Sequence, residues 1–289
     1  MLNFLEKNPG GGFSNILPKQ QKGEIMAGGE LIKVKMDEAV AIVTISRPEG
    51  NKVNVLTMKA MQELNGAIDE FSSDKNVKVV VITGEGPYTF VAGADIKEIA
   101  KIESKAQAID IVQKGQAVFN KIEKMNKPVI CAINAVCVGG GMELAMACHI
   151  RMASDRAKFG QPEVLLGIIP GFGGTQRLSR ICGASKALEL LITGDQISAR
   201  EAYEIGLVNQ VFPEGRLLKE AVGLAKKIAS RPQVAVRLIQ RAVREGSEKS
   251  LEEGLNLEAA LFGLVCESED KKEGVRAFLE KRQPKFQDR

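Results

Sequence analysis

The stretch VGGGMELAMACHIRMASDRAKFGQPEVLLGIIPGFGG, from Val138 to Gly174, decides how the rest of the chain is read. It opens on Gly139-Gly140-Gly141, where the backbone can bend sharply and approach a ligand without a Cβ in the way, and then enters a helix-forming run from Met142 to Ala147. Backbone N–H groups at such a helix start point outward and suit negative charge. Glu143 lies in the first turn, and Glu163 follows in Gln161-Pro162-Glu163 after a strand-forming segment able to return the chain to the same glycine corner. Anion-stabilising amides beside two carboxylates are the parts needed for chemistry next to a carbonyl, where charge collects on the oxygen and protons move at neighbouring carbons.

Upstream, Leu31 to Lys35 alternates like a half-buried strand and Val40 to Ser46 follows after a short turn, a hairpin that Arg47-Pro48 closes. Met58, Met61, Leu64, Ile68 and Phe71 form a helical stripe, and Val77 to Thr83 reads as a buried strand. A loop then runs through Phe90 to Asp95. Asp95 and Glu98 have capping-box spacing, so a short helix is predicted from Ile96 with the Ala94 amide at its mouth and Asp95 as its cap. A helix over 106–125 and a strand over Val129 to Ile133 lead to the glycine corner. The alternation of strands and helices marks an α/β chain.

Downstream, Pro170 to Leu178 is a glycine-rich lead into a helix, and helices are predicted at 185–191, 199–204, 217–230, 232–244, 251–264 and 272–281. After the stretch Leu207 to Phe212 no strand is evident. The organisation expected is a flexible tail at 1–28, a core with the site at 29–215, and a helical oligomerisation region at 216–289.

Composition narrows the function classes. With 289 residues and 44% hydrophobic content, the chain can bury a sizeable core. A net charge of +4 without a basic block, with 4% aromatics, does not announce nucleic-acid binding. Five cysteines without a C-x-x-C pair suit reduced thiols in the cytoplasm. No apolar run reaches the roughly 18–20 residues that span a bilayer, and the first residues lack the features of a targeting signal. The single histidine, His149, sits in an apolar stretch and reads as a packing residue rather than a triad base. Metal-ligand spacing and a Walker-type G-K-[ST] are absent.

Several separate stretches, in order from about residue 31 to the end, resemble the enoyl-CoA hydratase (crotonase) superfamily. They include Ala92-Gly93-Ala94-Asp95-Ile96-Lys97-Glu98, the corner from Gly139 to Glu143, Phe159-Gly160-Gln161-Pro162-Glu163, Pro170-Gly171-x-Gly173-Gly174-Thr175-Gln176-Arg177-Leu178, and Ala277-Phe278-x-Glu280-Lys281-Arg282. The resemblance implies a superhelix of β-β-α units followed by helices that build trimers, commonly paired as hexamers. It implies an acyl-CoA thioester as substrate, no separate cofactor, and an oxyanion hole made by the amides of Ala94 and Gly140. It further implies that Glu143 activates water for attack on C3 while Glu163 exchanges the proton at C2, and that Ala92, Asp95, Ile96, Lys97, Phe278 and Lys281 lie near the substrate. The last two would reach the coenzyme A of a neighbouring subunit. One departure stands at Arg47 to Leu56, where the usual R-P-x-x-x-N-A-L is two residues longer with Val in place of Ala, which leaves acyl-chain preference open. A Δ3-Δ2 enoyl-CoA isomerase or another crotonase-type acyl-CoA lyase or hydrolase is the runner-up, with RNA binding around Lys75 and Lys78 and a non-catalytic scaffold as readings from other classes.

Overall fold

The computed structural model describes residues 29–47, 49 and 53–289. The tail expected over 1–28 lies outside the described residues, as does part of the lengthened segment between Arg47 and Leu56. In chain order the elements are β1 (Ile32–Asp37), β2 (Val40–Ile45), α1 (Met58–Ser73), β3 (Val79–Gly84), β4 (Thr89–Val91), α2 (Ile96–Ile99), α3 (Lys105–Glu123), β5 (Val129–Ile133), β6 (Val136–Val138) and α4 (Gly140–Ala147). There follow β7 (Ile150–Ser154), β8 (Lys158–Gly160), a 3₁₀ turn (Pro162–Leu166), α5 (Gly174–Cys182), α6 (Ala184–Thr193), β9 (Gln196–Ser198), α7 (Ala199–Glu204) and β10 (Gln210–Phe212). Four helices close the chain: α8 (Leu217–Ala229), α9 (Gln233–Gly246), α10 (Leu251–Cys266) and α11 (Glu269–Leu279).

The strands form two sheets, ordered β1-β2-β3-β5-β7-β10 and β4-β6-β8-β9. Each turn of the chain adds one strand to each sheet: β3 then β4, β5 then β6, β7 then β8. This is the expected spiral of β-β-α units. The first turn obeys the same rule in reduced form, because Asn54 to Leu56 runs parallel to residues 92–95, with Ala92 N donating to Asn54 O at 2.8 Å, Leu56 N to Gly93 O at 2.9 Å and Asp95 N to Leu56 O at 3.2 Å.

Both faces of the large sheet are covered, which is why β3 and β5 read as continuous apolar runs. On one face Val40, Val79, Val81 and Ile130 pack against Leu217, Ala221 and Ala225 of α8. On the other, Val80, Ile82, Cys131 and Ile133 join the main core with Leu64, Ile68 and Phe71 of α1 and Phe119 and Ile122 of α3. Thus α8, although within the helical C-terminal region, packs onto the sheet. The helices beyond it expose apolar side chains, among them Ile239, Val243, Leu251, Phe262 and Phe278. The end of the chain folds back onto α11: buried Asp270 accepts the amides of Gln287 at 2.6 Å and Asp288 at 2.8 Å, and Asp288 pairs with Lys78 at 2.7 Å. Lys78, considered above for RNA, is therefore engaged within the fold. His149 is a packing residue as expected, its Nδ1 accepting the Val129 amide at 2.9 Å. All five cysteines are free. Among the described residues no helix is long and apolar enough to cross a membrane.

Asn54 ties the loop ahead of the site to the sheet. It is buried, and its Nδ2 faces the carbonyls of Glu85 at 2.9 Å, Thr89 at 3.0 Å and Phe90 at 3.1 Å while its own amide donates to Thr89 Oγ1 at 3.0 Å. Asn54→Leu removes this donor from the Glu85 and Phe90 carbonyls and leaves Thr89 O only the longer contact to Asn134 Nδ2, at 3.3 Å, and the unfolding free energy is expected to fall by about 3 kcal/mol. A denaturant midpoint that does not move would show that water replaces the amide.

Candidate active site

In the smaller sheet β4, β6 and β8 run parallel, with Val91 opposite Cys137 and Val138 opposite Gly160. The residues that follow these strands therefore emerge along one edge: Gly93-Ala94 after β4, Gly139-Gly140 after β6, and Gln161-Pro162-Glu163 after β8. The carboxyl ends of parallel strands are where α/β folds place ligands. In the short parallel bridge to Leu56, Gly93 O and Asp95 N face the partner, so the Ala94 N–H turns to the other side. Gly140 is the first residue of α4 and has no intrahelical acceptor for its own N–H. Neither amide has an acceptor among the described residues. The two corners touch: a methyl group placed on Gly140 would lie 3.4 Å from the Ala94 nitrogen. Gly139 takes φ 53°, ψ −129°, and a methyl there would also lie 3.0 Å from Glu163 Oε1. Glycine is required at that corner by conformation and by space.

Glu143 is 2% exposed. Its Oε1 accepts two amides, from Phe172 and from Gly174, each at 2.7 Å. Burial pushes its pKa from 4.5 up to about 7, with the Glu163 carboxylate adding to the rise, while the Gly174 and Phe172 amides and the Arg177 charge oppose it. Glu163 is the second residue of the 3₁₀ turn, after Pro162, and its pKa is also raised by burial. Its Oε2 is buried without a partner among the described residues. Both carboxyls thus share a cavity lining with Ala94 and Gly140, and the pKa of each is raised from its ordinary value.

The space they face is a cavity of about 520 Å³. Ala92, Ala94, Asp95, Ile96, Gly140, Glu143 and Glu163 line it, so seven of the residues singled out in the sequence converge there. Its remaining wall is mostly apolar, with Leu56, Ile99, Ile111, Val112, Ile169 and Phe172. Lys97 is exposed and is not part of this lining, and Phe278 and Lys281 stand on the surface away from it, within this subunit. Asp95 caps α2 by accepting the Lys97 amide at 2.9 Å. The predicted capping box does not form: Asp95 holds the Lys97 amide rather than that of Glu98, and Glu98 reaches instead to the Met58 amide at the start of α1, at 2.9 Å.

The family described as Enoyl-CoA hydratase/isomerase matches residues 35–289. The chain belongs to this family. A crotonyl-CoA hydratase of Syntrophomonas wolfei is 45% identical over 257 residues, which make up 89% of this chain and 98% of the relative. A short-chain-enoyl-CoA hydratase of Clostridium acetobutylicum is 44% identical over 244 residues, 84% of this chain and 92% of the relative. The crystal structure of an enoyl-CoA hydratase from Bacillus anthracis superposes with a TM-score of 0.85 at 38% identity, covering 90% of this chain and all of that one. The architecture is the crotonase fold.

As a member of the enoyl-CoA hydratase/isomerase family, the chain carries supporting residues around the site that motif reading passed over. Gln161 is fully buried and donates from Nε2 to Gly139 O at 3.2 Å, bracing the glycine corner. Arg177 donates to the carbonyl of Phe172, whose amide holds Glu143. Both lie inside stretches quoted for other reasons, and their own signal is a polar side chain set beside glycines in an apolar context.

Glu143 makes stability depend on pH in a set direction. Below about pH 4.5 the carboxyl is neutral in folded and unfolded chains alike, and as the pH rises through 7 the folded state bears the full cost of a buried charge, on the order of 3 kcal/mol. Glu143→Gln keeps an acceptor for both amides and removes that cost. Its Tm is expected to match the parent near pH 4 and to exceed it above pH 7; a Tm difference independent of pH would contradict the assignment.

Proposed function

We propose that the protein is an enoyl-CoA hydratase, adding water across a trans-2-enoyl-CoA thioester to give a 3-hydroxyacyl-CoA. The observation that carries this reading is the convergence of two unpartnered backbone amides and two buried carboxyls on one apolar cavity. The thioester oxygen is bound by the amides of Ala94 and Gly140, which stabilise the negative charge that gathers there as the C2–C3 double bond is attacked. Glu143, ionised and fixed through Oε1, takes a proton from water as the oxygen bonds to C3. Glu163 delivers a proton to C2, and the two glutamates exchange the net proton with solvent before the next turnover. The hydroxyl at C3 comes from the attacking water and the proton at C2 from Glu163, which solvent reprotonates as Glu143 releases the proton it took, and coenzyme A enters only as part of the substrate.

Around this centre, Ala92, Asp95, Ile96 and Lys97 bind the coenzyme A portion, and Phe278 and Lys281 do so from a neighbouring subunit. The apolar side chains exposed on α9 to α11 support a homo-oligomer, a trimer or a pair of trimers. Relatives named crotonyl-CoA hydratase and short-chain-enoyl-CoA hydratase make a four-carbon enoyl thioester the first substrate to test.

With crotonyl-CoA the absorbance of the conjugated thioester is expected to fall on addition of enzyme. Glu143→Gln and Glu163→Gln each lower kcat by roughly 10²- to 10⁴-fold. Gly140→Pro deletes one oxyanion donor at a helix position that accepts proline, and lowers kcat by roughly 10²- to 10³-fold. An absorbance that stays constant, together with conversion of a 3-enoyl-CoA, would replace hydration by isomerisation.

A further inference from the structure

Behind Glu143 lies a second layer of polar contacts that leads away from the cavity. The Phe172 peptide is gripped from two sides: its N–H points at Glu143 Oε1, and its carbonyl accepts Arg177 Nη1 at 2.9 Å. Arg177 is 11% exposed on its side chain and is itself held by α3. Its Nη2 donates to Asn120 Oδ1 at 2.7 Å and to Glu123 Oε2 at 2.8 Å, and its Nε donates to the same carboxylate oxygen at 3.2 Å. The main chain of Glu123 is anchored in turn, since its carbonyl faces His149 Nε2 at 3.2 Å while Nδ1 of that ring accepts the Val129 amide. With Nδ1 accepting, the proton sits on Nε2, which donates to Glu123 O.

The turn between the two amides has no freedom to hold itself. Gly171 and Gly173 flank Phe172, and Gly173 has φ 111°. A methyl on Gly173 would fall 2.3 Å from Arg177 Nη1, so the guanidinium occupies the space that the missing side chain leaves. The Phe172 ring is seated edge-on against Phe119, centroids 5.7 Å apart at 86°, over Gly115, where a methyl would lie 2.3 Å from the ring. A glycine-bounded turn carrying two converging amides keeps its aim only through such outside contacts.

We infer that Arg177 and Glu123 are a positioning pair for Glu143, fixing the Phe172–Gly174 turn so that its two amides hold Oε1 and leave the other carboxyl oxygen for the attacking water. The inference deepens the proposed hydration and rests on it for the role of Glu143. Neither residue is part of the cavity lining. The guanidinium also acts through its charge, favouring the ionised carboxyl. The other charged group facing Glu143 is Glu163, from the 3₁₀ turn, which acts in the opposite sense, and α4 carries no further charge.

The test uses the full-length protein, crotonyl-CoA, and kcat and KM measured across pH for Arg177→Gln, Arg177→Lys and Glu123→Gln. Arg177→Gln is expected to lower kcat roughly 10- to 100-fold with KM little changed, and to move the acid limb of kcat/KM to higher pH because the cation that favours ionised Glu143 is gone. Arg177→Lys restores the limb without restoring kcat, since an ammonium supplies charge but not the fork that reaches Phe172, Asn120 and Glu123 together. Glu123→Gln keeps an acceptor for Arg177 and removes its neutralising charge, so the limb moves to lower pH. Opposite shifts in the two Gln variants are not produced by loss of folded protein, and limbs that coincide in all three would overturn the pair. Amide hydrogen exchange at Phe172 and Gly174 reads the positioning without turnover: faster exchange in Arg177→Gln supports it and unchanged exchange overturns it. A parent enzyme inert toward crotonyl-CoA would overturn the hydratase reading alone.

Discussion

A buried backbone N–H without an acceptor is costly, and folded chains leave very few of them. At Ala94 and Gly140 two N–H groups without an acceptor among the described residues stand side by side on the wall of the cavity. Three parallel strands bring the two corners and Glu163 to one edge. The packing that holds the corners has little slack: a methyl on Gly141 would sit 2.2 Å from Val91 O, so α4 begins hard against the end of β4. Neither amide can be quenched by its neighbours without moving that contact. In the proposed hydration this pair of donors is aimed before any ligand arrives, so no reorganisation would be needed as negative charge develops.

The second constraint is a buried carboxyl. Desolvation works against the ionised form of Glu143, and the fold answers with two peptide dipoles and a guanidinium rather than with a direct salt bridge. A contacting cation would hold the carboxyl ionised so firmly that it would be a poor base. Amides and a more distant charge leave its pKa close to neutrality, where a proton can be both taken up and released. Stability and chemistry therefore pull in different directions at this side chain.

Much of this was legible in the sequence, for physical reasons that can be named. Val79 to Ile82 and Val129 to Ile133 are apolar throughout because helices and a second layer cover both faces of their sheet, and Met61, Leu64, Ile68 and Phe71 recur with a helical period because α1 buries one face. Ala94, Gly140, Glu143 and Glu163, singled out because acids sit beside glycine corners, do line one cavity. The three-residue strands β4, β6 and β9 were missed, β4 falling where a loop was expected to begin, because each is too short to show any period. Glu98 was misread because spacing alone cannot tell a reciprocal cap from a contact to the start of another helix, 40 positions away. Asn54 and Arg177 escaped for the same reason: their partners are 31–36 and 54–57 positions distant, except for the Phe172 carbonyl, and such pairings are visible only once the spiral has closed.

The three glycines after β6 have a consequence for how errors in assembly are rejected. A strand slipped by one residue would still offer a glycine N–H at the corner, so the donor pair alone is indifferent to alignment. The same slip would turn the carboxylate on the following helix by about 100°. The turn at 172–174 would then face a methionine or a leucine instead of an acid, and two peptide dipoles would be stranded in an apolar interior. Fidelity of the glycine corner is thus enforced from a distance, by a loop that follows it in the chain and accepts one alignment only.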